Sequence, residues 1–88
     1  MPQWTQIERD GVAMLTRRFA IADWRNALSF VAAVGAVAEA QDHHPEILLT
    51  SGAVVVTVWS HDARGLTARD ERFCRAVDLL PGADESRR

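Results

Sequence analysis

With 88 residues, 48% apolar and 25% charged, the chain is sized for one small globular domain. Its net charge of -2, with ten basic residues that are all arginine and scattered apart from Arg17-Arg18 and Arg87-Arg88, argues against a general nucleic-acid binder. A single cysteine, Cys74, excludes an intrachain disulfide and a cysteine-based zinc site, and the longest apolar stretch, Phe30 to Ala38, is too short to span a bilayer.

The N-terminus, Met1-Pro2-Gln3-Trp4, lacks a charged-then-apolar leader, so a cytoplasmic protein without membrane contact is expected. Two extended runs, Trp4 to Glu8 and Val12 to Phe19, flank Arg9-Asp10-Gly11, and an Asp-Gly pair between such runs signals a hairpin. A long helix follows. Asp23 stands at its N-terminus, where a carboxylate favours the helix dipole, and Trp24, Leu28, Val31, Val34 and Ala38 recur at helical spacing as its apolar stripe. The helix must stop near Gln41-Asp42, because Pro45 cannot continue it and holds His44 extended.

Glu46 to Thr50 reads as a strand, Ser51-Gly52 as a turn, and Ala53 to Trp59 as the strongest strand of the chain. Its Val54-Val56-Val58 face should meet the helices. The rather apolar Val55-Thr57-Trp59 face predicts cover from a second subunit. A last helix opens at Thr67, with Thr67 to Asp70 patterned as a capping box, and Pro81-Gly82 ends it. The expected fold is an α+β two-layer sandwich of order β-β-α-β-β-α, a four-stranded antiparallel sheet with two helices on one face. Residues 1–82 form the domain, and 83–88 are expected to be a disordered tail.

The second hairpin carries the chemistry. If it is centred on Ser51-Gly52, paired residue numbers sum to 103, and Asp42 to His44 lie opposite Trp59 to His61. All three histidines, His43, His44 and His61, then meet. Glu39 lies one helical turn before His43, and Asp70 sits in the first turn of the last helix. Imidazoles suit proton transfer at neutral pH, a reaction that gives one proton and takes another needs two such groups, and a carboxylate bonded to an imidazole fixes its tautomer.

Other readings of the same residues stay open at this point. His43-His44 could be a polar helix terminus favoured by the dipole, Asp70 only a helix cap, and the tryptophans only packing anchors. A three-histidine metal site is disfavoured, because no His-x-x-x-His motif is present and adjacent histidines are awkward joint ligands.

The string Glu39-Ala40-Gln41-Asp42-His43-His44-Pro45, with His61 sixteen residues after Pro45 and Asp70 nine further on, resembles the signature of the pterin-4a-carbinolamine dehydratases. The segments FAIADWRNALSF, HHPEILL and WSHDARGLTARD agree, so the resemblance covers about Trp4 to Asp78. It implies a lyase that removes water from 4a-hydroxytetrahydrobiopterin to give quinonoid dihydrobiopterin, without a metal or bound cofactor, serving aromatic amino acid hydroxylases. By position it makes His43 and His61 the acid and base, in unassigned order. His44 binds the pterin and can share in catalysis, and Glu39 and Asp70 support the imidazoles. Asp42, Trp59, Ser60, His61 and Asp62 line the pterin pocket. The family forms homodimers and homotetramers. The chain departs from the pattern at Ser51, at Arg64 near the expected pocket mouth, and in lacking the family's N-terminal helix. Those departures motivate the competing expectation, a non-catalytic assembly or protein-interaction module on the same fold.

Overall fold

The computed structural model describes residues 3–83. Asp10 and Gly11, both with positive φ, turn β1 (Thr5–Arg9) into β2 (Val12–Ala20), and Ser51-Gly52 turns β3 (Glu46–Thr50) into β4 (Ala53–Val58). The four strands form one antiparallel sheet in the order β1-β2-β4-β3. Helix α1 (Trp24–Gln41) joins the hairpins and α2 (Ala68–Asp78) follows them, so the expected β-β-α-β-β-α order is the observed one. The β3–β4 register runs from Glu46 opposite Thr57 to Thr50 opposite Ala53, which keeps the sum of 103.

Val54, Val56 and Val58 are fully buried beneath the helices, as the alternation predicts. Phe19 of β2, packed on Phe30 of α1 at 4.7 Å between ring centroids, joins them with Ile21, Phe73, Cys74 and Val77. The face that α1 buries differs from the expected stripe. It is Ala27, Phe30, Val34 and Ala38, while Trp24 and Leu28 are 51% and 46% exposed. Both stripes share Val34 and Ala38, and the helix carries no charge from Asn26 to Ala38 to distinguish its sides. Packing decides between them: Phe30 meets Phe19 over the valine surface, and the small Ala27 and Ala38 let the helix lie close.

On the opposite face of the sheet, Thr57 is buried and hydrogen-bonded to Thr16. Arg9 and Glu46, from the two edge strands, meet there in a two-bonded ion pair at 2.8 and 3.0 Å. The chain thus covers part of that face itself. Beneath the helices, Asp78 accepts hydrogen bonds from the buried Arg17 guanidinium and from the Trp4 indole, tying α2 to β2 and to the chain's start. Ala83, expected to open the tail, is buried in the core. The rest of that segment, 84–88, lies outside the described residues.

Candidate functional site

Four chain segments end at one edge of the molecule. Helix α1 stops at Asp42, which takes the left-handed conformation (φ 48°) that aspartate tolerates better than most residues. The His43 N–H closes the helix end on the Ala38 carbonyl at 3.0 Å. This reversal sends His43 inward, buried, and leaves His44 with its side chain 60% exposed. Pro45 then starts the extended run into β3.

Thr67 and Asp70 form the capping box of α2: the Asp70 Oδ2 accepts the Thr67 N–H at 2.8 Å, and Asp70 is fully buried. The same oxygen accepts the Ser60 hydroxyl at 2.7 Å, and the Ser60 and Thr67 hydroxyls lie 2.8 Å apart. The other oxygen, Oδ1, faces the His43 Nε2 at 2.6 Å. One residue therefore caps a helix and holds an imidazole. Phe73, edge-on to His43 at 6.0 Å, closes the apolar side.

Glu39 meets His44 at 2.9 Å, rather than the His43 expected from a continued helix. The helix ends before residue 43, and the left-handed Asp42 moves the following residues off the helical spiral. His61 is held differently again, lying parallel to the Trp59 indole with centroids 4.4 Å apart. It opens a turn, 61–64, closed by the bridge between Ser60 and Gly65. At the rim, the Arg69 guanidinium donates to Asp62 at 2.6 Å. That hydrogen bond lowers the Asp62 pKa and raises that of Arg69.

Asp42, His43, His44, His61, Asp62 and Arg69 line a cleft of about 320 Å³. The three histidines and two of the expected rim residues thus share one opening. Other expected site residues stand behind it. Asp70 lies behind His43, Glu39 beside His44, and Trp59 against His61. Ser60 is fully buried, its hydroxyl taken up by Asp70 and Thr67. Arg69 was not expected; its place beside Asp70 in the first turn of α2 was the available signal. Arg64, in the left-handed region at the end of the turn, is exposed and does not line the cleft. Ser51 sits at the opposite end of β3 and β4. Among the described residues, no group of three or more His, Cys, Asp or Glu side chains has an arrangement that could hold a metal ion.

Chemically, the cleft offers one imidazole buried on a carboxylate, one exposed imidazole beside a carboxylate, and one stacked on an indole. Such a set can give a proton to one atom of a small ring ligand and take one from another. A family model described as pterin 4 alpha carbinolamine dehydratase matches residues 1–80. Among solved structures, a transcriptional coactivator/pterin dehydratase from Brucella melitensis superposes with a TM-score of 0.77 at 33% identity, over 86% of this chain and 79% of that chain. A pterin dehydratase-like protein identified as a RuBisCO assembly factor in the alpha-carboxysome gives a TM-score of 0.72 at 23% identity, over 86% of each chain. The latter likeness speaks to the fold alone.

Proposed function

Since this chain belongs to the pterin 4 alpha carbinolamine dehydratase family, we propose that it dehydrates a 4a-hydroxytetrahydropterin, 4a-hydroxytetrahydrobiopterin in the first instance, to the quinonoid dihydropterin. The observation that carries this reading is the convergence of His43, His44 and His61 on one cleft, with His43 backed by Asp70. An acid gives a proton to the 4a hydroxyl, and the C4a–O bond breaks to release water. The neighbouring ring nitrogen gives its proton to a base, and its freed electron pair completes the C=N bond. His43 and His61 are the acid and base; His44, steadied by Glu39, positions the pterin, Asp42 and Asp62 border it, and Trp59 backs His61. The chemistry needs no metal or bound cofactor. The setting is a cytoplasmic one, beside an aromatic amino acid hydroxylase that consumes the tetrahydropterin. Among the described residues no helix is long and apolar enough to cross a membrane, which fits a small-molecule enzyme.

The test follows loss of the carbinolamine with purified protein. The expected result is a rate above the spontaneous one that falls about 10²–10⁴-fold in His61→Ala and in His43→Ala. A rate equal to the spontaneous one refutes the reading. The exposed uncharged side of α1, with Trp24 and Leu28, supports self-association into a homodimer or homotetramer. The same surface favours a second reading, a protein-interaction module without turnover, in line with the coactivator description of the Brucella melitensis protein. A stoichiometric partner together with no pterin binding by calorimetry would select it.

A further inference from the structure

We propose that Ser60 is a positioning residue: it holds one oxygen of Asp70 so that the other is presented firmly to His43 Nε2, which leaves His43 Nδ1 as the atom that exchanges a proton with a ligand in the cleft. The inference rests on the dehydratase reading for its chemistry but not for its geometry.

The donors around Asp70 can be assigned one by one. As a carboxylate, Asp70 only accepts. Its Oδ2 receives the Thr67 N–H at 2.8 Å and the Ser60 O–H at 2.7 Å. The Ser60 proton is thereby used, so in the 2.8 Å contact between the hydroxyls Thr67 donates and Ser60 accepts. Thr67 in turn accepts the Arg69 N–H at 3.2 Å. Every proton has one place, and the chain of bonds runs in one direction.

With Oδ2 taken twice, Oδ1 is left for the imidazole at 2.6 Å. It has no proton to give, so Nε2 carries the hydrogen and Nδ1 carries the lone pair. Among the described residues, Nδ1 has no hydrogen-bond partner. Among the described residues, the only buried side-chain polar atom without a partner is Gln41 Oε1. His43 Nδ1 therefore reaches solvent, and the opening that His43 lines is the cleft.

Replacing Asp70 by asparagine exposes the logic. The amide oxygen must stay with the Ser60 and Thr67 donors, which turns the amide NH₂ toward His43. Nε2 then becomes an acceptor, and the proton moves to Nδ1. In Ser60→Ala, Oδ2 keeps only the Thr67 donor; the carboxylate still only accepts, so Nε2 keeps its hydrogen, but Asp70 presents Oδ1 to the imidazole less firmly.

The experiment records long-range ¹H–¹⁵N spectra of the histidine rings in the full chain at about pH 8, where an ordinary imidazole is neutral. Steady-state carbinolamine loss is measured beside it. The expected results are an Nε2–H His43 in the wild type and an Nδ1–H His43 in Asp70→Asn. Ser60→Ala should keep the Nε2–H tautomer but exchange that ring proton with water faster, with kcat lowered about tenfold and KM within about twofold. An Nδ1–H ring in the wild type overturns the proposal, and so does a Ser60→Ala variant with the wild-type ring-proton exchange and kcat. If Ser60→Ala fails to fold, Ser60→Cys, with a weaker donor of similar size, is read by the same measurements with the same expected directions. If the spectra come out as expected but no variant, wild type included, turns over the carbinolamine, the positioning stands and the dehydratase reading falls.

Discussion

Trp59 and His61 lie face to face, their rings 4.4 Å apart and inclined by only 16°. One residue, Ser60, separates them just beyond the end of β4, so a locally extended backbone sends their side chains to the same side. His61 makes no hydrogen bond through its ring, which leaves the indole as its support within the described residues.

Removing that support should loosen the imidazole without touching the cleft's other walls. A stacked aromatic pair contributes about 0.5–1.5 kcal/mol. Trp59→Leu should therefore lower kcat/KM for carbinolamine loss by about two- to tenfold, while Trp59→Phe keeps a ring beneath His61 and loses less. Equal losses in the two variants would show that the indole's edge, not its face, matters.

Self-association through α1 predicts a simple outcome. Wild-type protein should sediment as an oligomer, and Leu28→Glu, which puts a charge on the helix side that carries none from Asn26 to Ala38, should sediment as a monomer. Far-ultraviolet dichroism should be unchanged, because residue 28 lies outside the intramolecular core. An unaltered sedimentation coefficient would locate the contact elsewhere.

Asp78 joins Arg17 and Trp4 beneath the helices. Asp78→Ala withdraws one partner from a buried guanidinium and the acceptor from the Trp4 indole, and should cost about 1–3 kcal/mol, with Tm falling by at least about 4 °C. Thermal unfolding followed by dichroism reads the change. A shift of a degree or two would mean that Arg17 finds equivalent partners.

Burial, reinforced by the nearby Asp78 and Asp70 charges, pushes the Cys74 thiol up to about 12. The fold favours the neutral thiol, so this contribution is complete below the ordinary thiol pKa near 9 and is lost as pH climbs from there toward 12. The chain has neither tyrosine nor lysine, so no other side chain ordinarily titrates in that window. Urea unfolding should therefore show lower stability at about pH 10.5 than at about pH 8.5, and Cys74→Ala should lose most of that difference. Equal slopes in the two proteins would contradict the assignment.

Much of this architecture was legible because it is set by local rules. The Asp10-Gly11 and Ser51-Gly52 turns fix two registers, and the second register brings His61 to the His43 end of the sheet. Asp23 and the Thr67–Asp70 box announce their helices by capping chemistry. What escaped depends on three-dimensional packing. The side of α1 that faces the core is chosen by Phe30 against Phe19, which no periodicity reveals in a helix without charge from Asn26 to Ala38. Glu39 serves His44 because one left-handed residue, Asp42, breaks the helical count. Ser60 and Trp59 read as pocket lining because their neighbour His61 is, yet one points into the protein and the other stacks behind the ring.

The double duty of Asp70 also orders events in time. A chain made from its N-terminus exposes His43 long before residue 70 exists, and the carboxylate that holds the imidazole arrives with the last helix. It takes its place only when that helix has formed its first turn. The hydrogen bond that holds His43 is thus a late product of synthesis, absent from any nascent chain that stops short of α2. Fraying of that single turn in the finished protein would release the His43 imidazole from its carboxylate.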